Sequence, residues 1–266
     1  MNPKNENKMN RIDQAFDDKK EKLLNVYFTA GYPELNDTMR IAQALEKAGA
    51  DILEIGLPFS DPIADGPTIQ ESSTKALENG MSLIKLFEQL QSLRSSVSIP
   101  VLLMGYINPV LQYGIVNFCK SCKEVGVDGL ILPDLPVYEY EELYQPIFEK
   151  YGLYNVFLIT PQTVESRIRK IDELSNGFIY MVASSSITGA KSEISSVQVD
   201  YFNRVNGMDL KNKRMIGFGI SNNQTFEKAC QYADGAIVGS AFIKQLGVDA
   251  SETAITSFVQ SLKYRL

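Results

Sequence analysis

The sequence predicts a single (β/α)8 barrel, and two patterns carry the prediction. The first is a series of short apolar runs that recur about every 25 to 35 residues, with a longer gap after the second. They are VYFTAG from Val26, ILEIG from Ile52, VLLMG from Val101, GLILP from Gly129, NVFLIT from Asn155, FIYMV from Phe178, MIGFG from Met215 and GAIVG from Gly235. Each is β-branched or aromatic in flavour and nearly continuous in hydrophobicity, as strands buried on both faces of a parallel sheet must be. The second pattern is helical periodicity between the runs. A length of 266 residues agrees, since a closed barrel of this kind takes about 250.

The helices follow in order. Asn10 can cap an extra N-terminal helix carrying Ile12 and Phe16, which would cover the bottom of the barrel. Ile41, Leu45 and Ala48 make a stripe that ends at Gly49, a C′ glycine. Leu83, Leu86, Phe87, Leu90 and Leu93 make a second stripe. Ser221 with Gln224 reads as a capping box for the seventh helix, and Asp249 with Glu252 opens the last one similarly. No Pro/Gly-rich linker interrupts the series, so residues 1–266 are expected to form one domain, with 1–9 a flexible tail. A doubly wound open sheet is the alternative, but its G-x-G-x-x-G after the first strand is missing.

Composition excludes several classes. The net charge is −6, and Lys and Arg are scattered, which argues against a nucleic-acid surface. No run approaches the ~18 apolar residues of a membrane span. The polar start MNPKNENKMN is unlike a secretory signal. The expectation is a soluble cytoplasmic protein with neither a membrane nor a nucleic-acid partner. The chain contains no His. Acid/base chemistry must then come from Glu, Asp, Lys, Tyr or Cys. Cys119 and Cys122 form C-K-S-C, but Ile115, Phe118, Cys119, Cys122 and Val125 fall at helical spacing. They read as mid-helix core residues, and no metal site is expected.

In a barrel of this kind the chemistry sits at the C-terminal ends of the strands. Glu54 lies in the apolar run ILEIG, where alternation puts Ile52, Glu54 and Gly56 on one face. Desolvation should raise its pKa towards neutrality, as an acid/base catalyst at pH 7 requires. The other account, a buried Glu paired with a cation, finds no basic residue between Ile55 and Ala64. The following loop, LPFSDPIADGPTIQ, is stiffened by Pro58, Pro62 and Pro67. Its Asp61 and Asp65 are open to a turn-forming or a functional reading. Glycines in ITGA, GFGI and VGSA follow the sixth to eighth runs, where barrels of this kind bind phosphate on backbone N–H groups. Tyr27, Tyr106, Asn108, Asp134, Tyr180 and Thr188 stand at strand ends. Each alone fits core filling or turn chemistry, and together they would line an aromatic-tolerant pocket beside the acids.

The run LEIGLPFSDPIADGPTIQ resembles the signature of the tryptophan synthase α-subunit family, whose members are TIM barrels. So do FTAGYP, LMGYINPV, LPDLP, the Thr188–Gly189 pair, GFGIS and the Gly239–Ser240 pair, in family order from about Val26 to Leu246. The resemblance implies a lyase that cleaves indole-3-glycerol phosphate to indole and glyceraldehyde 3-phosphate in tryptophan biosynthesis. It makes Glu54 the general acid/base and Asp65 the carboxylate facing the indole nitrogen. Tyr180 is the hydroxyl near Glu54, and Thr188 a loop residue orienting Asp65. Tyr27 and Phe218 wall the indole, while Gly189, Gly219, Gly239 and Ser240 hold the phosphate. It further implies an αββα complex in which indole passes to a pyridoxal-phosphate β subunit. Asp61, Pro62, Asn108 and Pro136 would face that subunit, and the α chain itself would need no cofactor. The chain departs from the family at Ser184 to Ser186, where many relatives carry an Arg and a Gly. The competing reading is a catalytically silent ligand-binding barrel that only activates a β subunit.

Overall fold

The structure is a computed structural model that describes residues 9–183, 196–217 and 219–264. Nine strands form one sheet. They are β1 (Leu23–Thr29), β2 (Ile52–Gly56), β3 (Val101–Met104), β4 (Gly129–Ile131), β5 (Tyr154–Asn155), β6 (Leu158–Ile159), β7 (Phe178–Val182), β8 (Lys213–Gly217) and β9 (Gly235–Val238). Every pairing is parallel, in the order β5-β4-β3-β2-β1-β9-β8-β7-β6.

The two ends of that order are successive pieces of one segment. Val156 N–H donates to the Leu130 carbonyl at 3.0 Å, and Tyr180 N–H donates to the Phe157 carbonyl at 2.9 Å. Residues 154–159 are therefore the fifth predicted strand, broken in the middle, paired with β4 on one side and β7 on the other. They close the sheet into a TIM barrel, which disposes of the open-sheet alternative. β1 differs too. It starts at Leu23 rather than Val26, because Leu23, Leu24 and Asn25 already pair with β9 and β2.

Alternation along the strands divides the apolar residues between two layers. Leu23, Ile52, Leu102, Ile131, Val156, Phe178, Met215 and Ile237 form one cluster, in the barrel interior, with Ile12 and Phe16 from the helix Arg11–Lys19. The intervening residues, such as Leu24, Val26, Leu53, Ile55 and Leu103, pack outward against the helices. The N-terminal helix thus covers the bottom of the barrel as expected, and the Phe16 and Phe178 rings lie 6.1 Å apart. Asn10 caps it by accepting from Ile12 N–H at 2.9 Å, and its amide donates to the Asp128 carbonyl at 3.0 Å. The buried Asp128 carboxylate accepts from Arg11 at 2.8 Å, Arg94 at 2.5 Å and Val101 N–H at 2.8 Å.

Gly49 ends its helix at φ 98°, as a C′ glycine should. Two expected caps are displaced. The seventh helix is capped by Asn222, not Ser221, with Thr225 completing the box, because the extended backbone at Asn222 lets its short amide reach Thr225 N–H. The last helix is capped by Ser251, while Asp249 accepts from Ser251 N–H at 2.8 Å one turn earlier. Cys119 and Cys122 are buried within the helix Ile115–Val125, on the predicted stripe. Burial pushes both thiols up, Cys119 to about 12, so they are inert core residues. Among the described residues, no group of His, Cys, Asp and Glu could hold a metal ion, and no helix is long and apolar enough to cross a membrane. Of the tail expected at 1–9, only Met9 lies within the described residues, and it is exposed.

Truncating the bottom plug tests this packing. Phe16→Ala should lower the unfolding free energy in urea by about 3–5 kcal/mol through lost burial and an unfilled cavity. A loss under ~1 kcal/mol would mean that the helix merely rests on the barrel.

Candidate active site

Glu54 is forced inward by its neighbours. On β2, Leu53 and Ile55 pack outward against the helices, so Ile52, Glu54 and Gly56 must face the barrel interior. In register, Glu54 lies between Tyr27 on β1 and Leu102 on β3. Its side chain is 1% exposed. One oxygen, Oε2, accepts from Asn25 Nδ2 at 2.9 Å, and the other, Oε1, has no partner among the described residues. Burial disfavours the charged form and lifts the carboxyl to about 8, the Asn25 hydrogen bond pulls the other way, and Asp65 adds to the rise. Among the described residues no basic group acts on it, so none of them makes it a cation-paired glutamate.

Asp65 comes from the loop that carries the chain from β2 to the helix Pro67–Glu78. Tyr106, at the end of β3, holds this loop twice. Its hydroxyl donates to Asp65 Oδ2 at 2.9 Å and accepts from Ala64 N–H at 3.0 Å. Gln70 donates to the Asp65 carbonyl at 2.7 Å, and Phe59 lies over the Tyr106 ring at 5.3 Å. Burial raises the Asp65 carboxyl, and the Tyr106 hydrogen bond offsets part of that. The loop is thus a shaped element, as its prolines predict.

Tyr27 and Tyr180 project inward from β1 and β7, nearly buried. Burial, with Asp65 and Glu54 nearby, pushes both hydroxyls upward, so they stay neutral donors. Each needs a glycine opposite. A Cβ at Gly56 would lie 2.1 Å from the Tyr27 hydroxyl, and one at Gly217 would lie 2.2 Å from that of Tyr180. Beyond Tyr27, Gly239 and Ser240 open the helix Ser240–Val248, whose N-terminus no side chain caps. Gly219 stands exposed at φ 80°. Uncapped N–H groups at a helix start, with glycine beside them, can receive an anion.

The structure therefore gathers Glu54, Asp65, Tyr27, Tyr106 and Tyr180 around the C-terminal end of β1, β2, β3 and β7. It does not bring in Asp134, which accepts from Ile107 N–H at 2.9 Å and so caps the helix Ile107–Tyr113. Nor does it bring in Asn108, which is exposed on that helix. Thr188, Gly189, Phe218 and the Ser184–Ser186 departure lie outside the described residues. Asp61, Asn108 and Pro136 are exposed and Pro62 partly so, on linked loops that also expose Ile63 and Tyr138. Sequence reasoning missed Asn25. It began β1 at Val26, although a strand starting at Leu23 puts Asn25 and Tyr27 on one face.

Known proteins of one family resemble the chain over nearly its whole length. A family model described as tryptophan synthase alpha chain matches residues 14–264. The tryptophan synthase alpha chain of Flavobacterium psychrophilum is 59% identical over 96% of this chain and 100% of its own length. That of Parabacteroides distasonis is 51% identical over 96% and 100%. Among solved structures, the α subunit from Legionella pneumophila superposes with a TM-score of 0.85 at 32% identity, over 96% of this chain and 97% of its own. A tryptophan synthase complex from Pyrococcus furiosus gives 0.82 at 36%, over 91% and 98%.

The raised Glu54 pKa has a consequence for stability. Between about 4.5, its ordinary value, and about 8, the folded chain holds a proton that the unfolded chain has lost. Stability contributed by the neutral carboxyl is complete below that window and is lost as pH rises through it. Glu54→Gln abolishes the titration. Urea melts from pH 5 to pH 9 should show the variant gaining on the wild type by a few kcal/mol as pH rises. Parallel curves would mean that Glu54 titrates normally.

Proposed function

The chain belongs to the tryptophan synthase alpha chain family, and from that premise we propose how its residues carry out the family's reaction. The activity is that of an indole-3-glycerol-phosphate lyase of tryptophan biosynthesis, yielding indole and glyceraldehyde 3-phosphate. The whole chain, residues 1–266, acts as one barrel domain in this reading, with the substrate across the C-terminal end of the barrel.

Glu54 starts protonated, as a carboxyl lifted to about 8 is at neutral pH. It delivers that proton to C3 of the indole ring, which leaves positive charge shared with the ring nitrogen. Asp65, held by Tyr106, faces the N–H and stabilises that charge. The Glu54 carboxylate then removes the proton from the hydroxyl on the adjoining glycerol carbon. The carbon–carbon bond breaks, its electron pair returns to the ring, and an aldehyde and indole result. Glu54 ends protonated again, so one carboxyl serves both transfers.

Tyr27 and Tyr180 flank the reacting carbon, with Phe218 as a further wall of the indole pocket. The phosphate is held by N–H groups at Gly219, Gly239 and Ser240, with Gly189 from the sixth loop, whose Thr188 orients Asp65. The uncapped helix start at Gly239–Ser240 supports this anchoring. The partner that the family implies is a β subunit, and the Pyrococcus furiosus relative is described as a tryptophan synthase complex. In our reading the assembly is αββα, and Asp61, Pro62, Asn108 and Pro136 meet the β subunit. The exposed Ile63, Leu111 and Tyr138 beside them support an apolar contact there. Pyridoxal phosphate belongs to the β subunit and no cofactor to this chain, and the reaction takes place in the cytoplasm.

The observation that carries the catalytic assignment is the buried Glu54 with, among the described residues, one oxygen unpartnered and no counter-charge. A silent barrel has no use for so costly a group, and nothing observed favours that reading. Indole release from indole-3-glycerol phosphate, with and without a β subunit, tests the assignment. Glu54→Gln should lose at least ~100-fold, the least that removal of a general acid/base costs. Asp65→Asn should lose on the order of 100-fold through lost charge stabilisation. A Glu54→Gln variant retaining more than about a tenth of the activity would contradict the mechanism. A wild type silent even beside a β subunit would favour the ligand-binding reading.

A further inference from the structure

Asn25 sits on β1 two residues before Tyr27 and is fully buried, with its side chain among the inward-facing residues of the barrel. Its Nδ2 donates to Glu54 Oε2 at 2.9 Å. Among the described residues its Oδ1 has no hydrogen-bond partner, and neither has Glu54 Oε1. A carboxamide buried with a bare carbonyl oxygen destabilises a fold relative to an apolar residue of similar size. Position 25 accepts that cost, and among the described residues the amide's hydrogen bond goes to the acid/base candidate.

We propose that Asn25 is a positioning residue for Glu54, fixing its carboxyl so that Oε2 stays an acceptor and Oε1 alone carries the reacting proton. The inference rests on the acid/base reading of Glu54 given above. An amide N–H can only donate, so the oxygen it holds must remain an acceptor in both protonation states. In the neutral carboxyl the carbonyl oxygen is the stronger acceptor, so the amide favours Oε2 as the carbonyl and the proton on Oε1. That atom is the one with no partner among the described residues, so both proton transfers run through a single site. Without the amide the proton exchanges between two oxygens and the group turns about its last torsion, which is broad and roughly two-fold for glutamate.

The amide also favours the charged form, because it hydrogen-bonds the carboxylate more strongly than the acid. Among the described residues, the other titratable groups facing Glu54 are Asp65 from the β2 loop, Tyr27 from β1 and Tyr180 from β7. Burial pushes the two tyrosines up, so they remain neutral through the range that matters. Asn25 is the group that lowers the Glu54 pKa.

The test is the pH profile of kcat for indole release by the full-length chain. Val suits a buried strand position and cannot donate. Asn25→Val should move the alkaline limb, which reports loss of the Glu54 proton, upward by about one pH unit, the size of one hydrogen bond to a charged group. It should also lower kcat on the order of tenfold while leaving KM nearly unchanged, as misplacement of a reacting group does. A lowered kcat with an unmoved limb would mean a packing role and would overturn the proposal. A measurement on the wild type needs no variant at position 25. The Asn25 side-chain amide resonances should follow the Glu54 titration and lose that transition in Glu54→Gln. Amide resonances flat from pH 5 to pH 9 would also overturn it. If Glu54→Gln stays active, the acid/base reading itself falls. If Glu54→Gln is inactive and Asn25→Val is unshifted, only the role of Asn25 falls.

Discussion

A carboxyl group buried in the barrel interior, without a counter-charge among the described residues, is the constraint on which the rest of the site depends. Glu54 has one neutral hydrogen-bond donor, Asn25, and an acidic neighbour, Asp65. Water would solvate the charged form far better than this environment does, so the group holds its proton to about 8. The same burial that makes it reactive makes it costly. Tyr27 and Tyr180 stay neutral beside it for the same reason, and Gly56 and Gly217 leave them room to approach. Tyr106 then fixes the distance at which the second carboxyl, Asp65, can act.

The two ends of the barrel divide the work. At the N-terminal end, Ile12 and Phe16 plug the interior, and Asp128 is satisfied by Arg11, Arg94 and Val101 N–H. Such an end is built for stability. Towards the C-terminal end, Glu54 keeps an oxygen without a partner among the described residues, and the helix at Ser240 starts without a side-chain cap.

Much of this was legible in the sequence because the signals are local. Continuous apolar runs of ILEIG type mark strands that cannot have a wet face, and a charged residue inside one has to be buried. The stripe through Phe118, Cys119, Cys122 and Val125 likewise separated core cysteines from a redox pair. What escaped depends on pairing partners distant in the chain. The strand at 154–159 breaks between two neighbours, which no periodicity records. Asn25 was passed over because a polar residue before Val26 looks like a strand end until β9 and β2 are seen to pair with it. Caps slipped to Asn222 and Ser251 because several polar residues in a row offer equivalent starts, and backbone geometry chooses among them. Asp134 fell the other way, to turn chemistry, since the start of the helix Ile107–Tyr113 lay within reach.

The central claim is that Glu54 is a neutral acid at neutral pH because it is buried. The most direct measurement is the titration of its side-chain carboxyl by carbon-13 NMR in glutamate-labelled protein, assigned by the signal that Glu54→Gln removes. A midpoint near 8, well above the ordinary value of 4.5, is the result predicted. A midpoint close to 4.5 would show that the carboxylate is ionised at neutral pH and would contradict the account.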